Sequence, residues 1–331
     1  MEEQPRELLT QRMPFFGPFT EIGEGKFGHV YRVFDKKRNM TITLKQIQKT
    51  KMSQLFWNQE KDVLAEVSNL VYLRDTCNQY FLCFLDFLET STHYYIITEY
   101  LDQHVSLETL IGHIQEHDPQ QVFILSENLK KGLVLLHKIG IAHRDIKPSN
   151  LMVNLKTMDI KYIDFGFACH MNSCYAYQNY GSPLYTAPEI YLFSTQRWTL
   201  FDWYYTDYWS LGVALSEIVC GQAVTDLYHF KHFGKIPEHI NEIEKSFVKL
   251  FDTRDLSFDL LEKELPHSWK GHPIVRYLMD TLMPMFNHPP ERRQLLICQQ
   301  TIVSDHMTYL PTSLALDLNL LSGERPERPE N

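Results

Sequence analysis

The sequence predicts an α+β fold in two parts, a strand-rich first third followed by a mainly helical remainder. Three observations predict it. The first hundred or so residues carry short, β-branched apolar segments separated by glycine or charged turns. After Tyr100 the apolar spacing changes to three and four residues, the repeat of a buried helix face. The chain has 331 residues, 44% hydrophobic and 22% charged, which is enough for two sizeable cores.

In chain order, FGPFTEIGEG, GHVYRVFD and TITLKQI read as strands. A helix follows from about Phe56 to Arg74, with Val63, Val67, Leu70, Val71 and Leu73 near one face. FLCFLDFLE and HYYIITEY are two further strands. Val122, Leu125, Leu129, Leu133 and Leu136 then form the stripe of a long buried helix, which delivers the chain to AHRDIKPSN. LMV and KYID flank the turn NLKTM as a small hairpin, and DYWSLGVALSEIVCG reads as helix. The charged, proline-containing end SGERPERPEN predicts a disordered tail. Just before it, Leu314, Leu316, Leu318 and Leu320 alternate, a pattern suited to extended docking on the body or on a partner. The expected division is an extension over 1–17, a main domain over 18–306 that changes texture near residue 100, and a tail over 307–331. A cleft between two such parts is a common ligand site.

Composition narrows the function. Net charge is −9, from 32 basic and 41 acidic residues, so no general attraction to nucleic acid or anionic membrane is expected. No apolar run reaches the roughly 18 to 20 residues of a membrane span. The start MEEQPRELL lacks the form of a signal peptide. Six cysteines are too sparse for a disulfide scaffold, so a reducing intracellular compartment, cytoplasm or nucleus, is expected. Cys169, His170 and Cys174 lie close together, but no second ligand cluster completes a metal site, and ordinary loop thiols are the expectation.

Several residues carry chemistry. GEGKFGHV places Gly23, Gly25, Gly28 and Val30 between two strands, where glycines let backbone N–H groups approach phosphate oxygens. The strand-to-strand setting argues against a dinucleotide site, which joins strand to helix. Lys45 leaves the third strand and needs an acidic partner; Glu66 is in phase with the apolar stripe, whereas Glu60 and Asp62 fit a solvated face. Asp145, Asn150 and Asp164 are oxygen donors; Asn150 and Asp164 suit Mg²⁺, which binds through few protein oxygens plus phosphates. Asp145 is then free to orient a hydroxyl and take its proton, with Lys147 offsetting charge on a moving phosphoryl group.

Taken in order, GEGKFGHV, ITLK, the helix glutamate, HRDIKPSN, DFG, SPLYTAPE, DYWSLG and PPERR resemble the eukaryotic-type protein kinase family from about Phe19 to Leu296. The resemblance implies a two-lobed fold with a small antiparallel-sheet lobe and a larger helical lobe. It implies ATP and Mg²⁺ as cofactors and protein hydroxyls as substrates. By the same resemblance, Gly23, Gly25, Gly28 and Val30 cover the phosphates, and Lys45, held by Glu66, contacts them. The backbones of Glu99 and Leu101 bind adenine, with Thr98 guarding the rear of that pocket. Asp145 is the catalytic aspartate, assisted by Lys147, and Asn150 and Asp164 hold the metal. Glu189 is expected to pair with Arg292, and Asp207 to brace the catalytic loop. Lys147 places the chain with the Ser/Thr-specific branch.

Three departures stand out. Thr43 replaces the usual alanine beside adenine, Ser149 stands where many basic-directed kinases carry glutamate, and Tyr191–Thr206 is long and rich in aromatics. That stretch, with Trp198, Phe201, Trp203, Tyr204 and Tyr205, either packs on the helical lobe or forms a surface for a regulatory partner, as does the tail at 314–321. Gln178 occupies the expected phosphorylation register of the loop, which predicts activity without loop phosphorylation. The competing readings are an ATP-binding pseudokinase or scaffold, weakened by the presence of Lys45, Asp145, Asn150 and Asp164, and a small-molecule kinase.

Overall fold

The computed structural model describes residues 15–25, 28–49, 59–74, 79–111, 118–170, 181–187, 189–190, 200–221, 223, 263, 265, 267–286 and 292–296. They fall into two compact units. The first comprises Met1–His104 together with Lys161–Ala168, and the second Val105–Ile160 with Cys169–Asn331.

The first unit is built on five antiparallel strands: β1 (Phe16–Gly25), β2 (Gly28–Asp35), β3 (Met40–Gln48), β4 (Phe84–Glu89) and β5 (His93–Glu99). Their order across the sheet is β1-β2-β3-β5-β4. Strand alternation sorts the side chains. Tyr31, Val33, Ile42, Leu44, Tyr95 and Ile97 bury on one face, with Phe16, Phe19, Leu85 and Leu88 packed against them. Each such aliphatic side chain contributes about 1.5–3 kcal/mol on burial. The alternate positions Val30, Lys45 and Ile96 are register partners along the other face, as are Arg32, Thr43 and Thr98.

Helix α1 (Gln59–Arg74) follows β3. Its inward residues are Glu66, Asn69, Leu70 and Leu73, all buried. These recur at the spacing of one helix face. Val71 does not share that face and is 43% exposed, because one residue beyond Leu70 is a turn of about 100° around the helix. The late segment Lys161–Ala168 returns to this unit. Tyr162 donates its N–H to Tyr80 O and accepts from Leu82 N, in a parallel bridge with Phe81.

In the second unit, α2 (Leu107–Ile111) precedes α3 (Pro119–Lys138). Asp118 caps α3, accepting from Gln120 N at 2.9 Å, with Pro119 in the first turn. Val122, Leu125, Leu129, Leu133 and Leu136 are all buried, the stripe that spacing predicts. Beyond α3, the strand pair Ile141–Ala142 and Cys169–His170 is antiparallel. A turn closed by Met158 N to Asn154 O follows strand Leu151–Asn154. Helix α4 (Leu200–Cys220) and α5 (Pro273–Leu282) complete the core, with Trp209 edge-on to Phe286 and Phe123 edge-on to Tyr277. A side chain at Gly212 would approach the Phe286 ring to 3.0 Å, so this close packing needs glycine. Lys130 and Glu127 form a buried ion pair beside Thr281 and the Tyr277 ring.

One expectation changes and one alternative is narrowed. Cys83 and Cys169 are each in a disulfide, where composition suggested ordinary thiols; a count of cysteines carries no information on which sulfurs are bonded. Cys220 is buried. Trp203 and Tyr204 are buried, so these two aromatics pack within the helical unit. Trp198 and the tail at 314–321 lie outside the described residues, as does the side chain of Phe201. Among the described residues no helix is long and apolar enough to cross a membrane.

Candidate active site

The expected site residues gather in two groups, one in each compact unit. In the first, β1 and β2 end at Gly25 and Gly28, which are register partners, with a register shift between Glu21 and Gly23. A Cβ on Gly28 would lie 1.7 Å from Gln46 O, so β2 can approach β3 here only as glycine. Val30 pairs with Lys45 across β2 and β3.

Lys45 Nζ donates to both Glu66 oxygens, at 2.8 and 2.9 Å, and lies 3.9 Å from Asp164 Oδ1. Burial pulls the Lys45 pKa down, but the carboxylates of Glu66 and Asp164 outweigh it and the net shift is upward. Lys45 is therefore a fixed cation at neutral pH. Burial, with Asp164 adding to it, raises Glu66, and Lys45 opposes the shift. The side chains of Glu60 and Asp62 lie outside the described residues.

Asp164 adopts φ 58°, a left-handed conformation worth roughly 1–3 kcal/mol of strain in a non-glycine residue. Gly166 N closes back on Asp164 Oδ1, and Asn69 Nδ2 donates to Phe165 O and Ala168 O at 3.2 and 2.8 Å. Asn69 thus ties α1 to the DFG segment. Sequence reasoning passed over it, although it sits three residues after Glu66 on the same face.

Thr98 is buried and faces Thr43 across β3 and β5. Glu99 N donates to Cys83 O, and Leu101 O accepts from His104 N. The Glu99 carboxylate accepts from Cys83 N and from Lys161 Nζ. Lys161, three residues before Asp164, gave no sequence signal of its own because its partner is distant along the chain.

In the second unit the loop after α3 centres on Asp145, which is 4% exposed. Its Oδ1 accepts from Ser182 N at 2.9 Å and Ser182 Oγ at 3.1 Å. Its Oδ2 accepts from Asn150 Nδ2 at 2.9 Å and lies 2.9 Å from Lys147 Nζ. Lys147 also donates to Ser182 Oγ at 2.7 Å. Asn150 Nδ2 further donates to Asp145 O, an arrangement that leaves Asn150 Oδ1 to serve a cation. A Cβ on Gly181 would lie 2.6 Å from Arg144 O and 3.0 Å from Asp145 Oδ1, so the segment reaches the loop only through glycine.

Asp207 on α4 braces this loop from beneath. It accepts from His143 N and Arg144 N, each at 2.8 Å, and from His137 Nε2 at 2.9 Å. His137 must therefore carry its proton on Nε2. Burial, opposed by Asp207, lowers the His137 pKa, so the ring is neutral. Arg144 has φ 67°, and burial, offset in part by Asp207, pushes its pKa down to about 10. Its guanidinium lies over the Trp203 ring, 4.0 Å from the centroid.

Glu189 pairs with Arg293, not with Arg292. Arg293 is buried, donating Nη1 and Nη2 to the two Glu189 oxygens and Nη1 also to Tyr205 O, whereas Arg292 is exposed. Two adjacent arginines point to opposite sides, and sequence alone does not say which points in. The loop positions Ser173, Tyr175, Tyr177, Gln178 and Tyr180 lie outside the described residues.

Residues 16–283 match the protein kinase domain model. The chain is 30% identical over 272 residues to the serine/threonine-protein kinase TIO of Arabidopsis thaliana, covering 77% of this chain and 19% of that protein. It is 29% identical over 283 residues to a serine/threonine-protein kinase of Drosophila melanogaster, covering 77% of this chain and 35% of the relative. It is 29% identical over 266 residues to an Aurora kinase of Patiria pectinifera, covering 75% and 60%. The chain thus spans about a fifth to three fifths of these relatives. It belongs to the protein kinase domain family, on the side of the serine/threonine kinases. Its antiparallel-sheet unit and helical unit fit the two-lobed α+β fold of that family.

Proposed function

We propose that the chain is a serine/threonine protein kinase that transfers the γ-phosphoryl group of ATP to protein hydroxyls. The observation that carries this reading is the buried Asp145 carboxylate, aimed by Ser182, Asn150 and Lys147 through contacts of 2.9 to 3.1 Å. Asp145 orients the attacking hydroxyl and accepts its proton as the new P–O bond forms and the bond to the β,γ-bridging oxygen breaks. Lys147 offsets charge on the moving group.

Lys45, fixed by Glu66, binds the α- and β-phosphates, beneath the backbone of Gly23, Gly25 and Gly28 and beside Val30. The backbones of Glu99 and Leu101 meet adenine, with Thr98 and Thr43 lining its pocket. Asn150 Oδ1 and the Asp164 carboxylate are hard oxygen donors that suit Mg²⁺. When bound, the metal neutralises phosphate charge. Tyr185 OH, 3.0 Å from each Glu217 oxygen, anchors the segment after Ser182 to α4, where a protein substrate would lie.

The test is incubation with γ-labelled ATP, Mg²⁺ and a degenerate peptide library, followed by phosphoamino-acid analysis, with a metabolite panel in parallel. Label on serine or threonine supports the reading. Label on metabolites alone, or Mg-ATP binding with no transfer, contradicts it.

A further inference from the structure

We infer that Trp203 is a positioning residue for the catalytic loop, holding the Arg144 guanidinium on its indole face and so fixing the left-handed turn that aims Asp145. The inference rests on the kinase reading of Asp145.

Arg144 is the residue immediately before Asp145, and its φ of 67° is a conformation that non-glycine residues hold only under constraint. The backbone side of the constraint is visible: Asp207 accepts the N–H groups of His143 and Arg144. The side-chain side is different. Among the described residues Asp207 is the carboxylate that acts on the guanidinium, and its oxygens are already committed to those two amides and to His137. Arg144 Nε is buried without a hydrogen-bond partner among the described residues. What meets the guanidinium is the Trp203 ring, 4.0 Å away and itself buried. Tryptophan is the strongest aromatic partner for such a cation, and burial strengthens the attraction.

The helix explains how one element does both jobs. Trp203 and Asp207 are four residues apart on α4, on one face, so one grips the side chain while the other grips the backbone. Tyr204 reinforces the same end, stacking on His137 at 3.9 Å and donating its hydroxyl to His137 O. Gly181 packs close to Arg144 O, where a Cβ would lie only 2.6 Å away, so the turn has a close backbone neighbour as well. A neutral aromatic thereby serves the arginine beside the catalytic aspartate, and the loop needs no added anion to hold it.

The test uses Trp203→Leu and Trp203→Phe, alone and in an Arg144→Met background, in the full chain. Two readouts are taken: kcat and KM for ATP on a peptide that the wild type phosphorylates, and hydrogen exchange across His143–Asp145. Trp203→Leu is expected to lower kcat about tenfold, about 1.4 kcal/mol, with KM within about twofold. Exchange at the His143 and Arg144 amides should quicken by a similar factor. Trp203→Phe should show intermediate values of both, and in the Arg144→Met background Trp203→Leu should change neither further. Wild-type kcat and exchange in Trp203→Leu, or the same losses with Arg144 already replaced, would overturn the inference. If Trp203→Leu does not fold, Trp203→Phe decides: intermediate exchange that vanishes in the Arg144→Met background supports the clamp, and wild-type exchange overturns it. A wild type without phosphoryl transfer would instead contradict the kinase reading, and the exchange arm would still decide the role of Trp203.

Discussion

Replacing Asp207 probes how much of the second unit hangs on one carboxylate. Its side chain is fully buried and accepts three hydrogen bonds, from His143 N, Arg144 N and His137 Nε2. Asp207→Ala leaves all three donors buried without an acceptor. At about 1–3 kcal/mol for each orphaned donor, the loss is roughly 3–9 kcal/mol. A whole domain is worth only about 5–15 kcal/mol, so this variant should be largely unfolded or nearly so. Asp207→Asn is milder and informative. With its carbonyl oxygen at the Oδ2 position it keeps His143 N and His137, while its NH₂ faces the Arg144 N–H, donor to donor. The expected loss is that of one bond, about 1–3 kcal/mol. Urea unfolding followed by far-UV circular dichroism at pH 7 measures both. An alanine variant within about 1 kcal/mol of wild type, or an asparagine variant as damaged as alanine, would refute this use of the hydrogen-bond geometry.

Further outcomes follow from other contacts. Lys45→Met should abolish phosphate transfer by at least about a hundredfold, and Glu66→Gln should lower kcat/KM about tenfold by freeing Lys45 to swing toward Asp164; a silent Glu66→Gln beside a crippled Glu60→Gln would move the partnership elsewhere. His137 is held neutral, with its pKa below the ordinary 6.5, by burial, and its buried Nδ1 has no hydrogen-bond partner among the described residues. Above pH 6.5 the ring is neutral in both the folded and unfolded states. Below it the unfolded chain takes up a proton that the fold refuses, so stability should fall by at most about 1.4 kcal/mol per pH unit. His137→Gln should lose that part of the slope in denaturation at pH 7.5, 6.5 and 5.5, and an unchanged slope would contradict the assignment. Phosphatase treatment, with an unmodified loop verified by mass spectrometry, should leave activity within about threefold; a drop of tenfold or more, reversed by phosphate on one loop residue, would name a switch.

Much of this was legible in the chain because local period and burial coincide. Glu66 could be chosen over Glu60 and Asp62 because it shares the face of Leu70 and Leu73, and the structure places its carboxylate on Lys45. The stripe from Val122 to Leu136 was readable for the same reason. Where a position falls at the margin of a face, the period fails: it places Val71 with Leu70, yet Val71 turns outward. Contacts between residues distant in the chain were harder still. Arg293 rather than Arg292 meets Glu189, Lys161 meets Glu99, and Trp203 meets Arg144. Each depends on which way one side chain leaves its backbone when the elements pack, and no local pattern encodes that. The aromatic stretch at 191–206 was visible as a density of rings, but only packing assigned Trp203 to a cation and Tyr204 to an imidazole.

The most direct test of the central claim is transfer of label from γ-labelled ATP to protein, comparing wild type with Asp145→Asn. Asparagine preserves the shape of a side chain that accepts from Ser182 and Asn150, but it removes the charge beside Lys147 and the group proposed to take the hydroxyl proton. The predicted result is serine or threonine labelling by the wild type and a loss of turnover of at least about a hundredfold in the variant, with Mg-ATP affinity nearly unchanged. Wild-type turnover in folded Asp145→Asn would contradict the account.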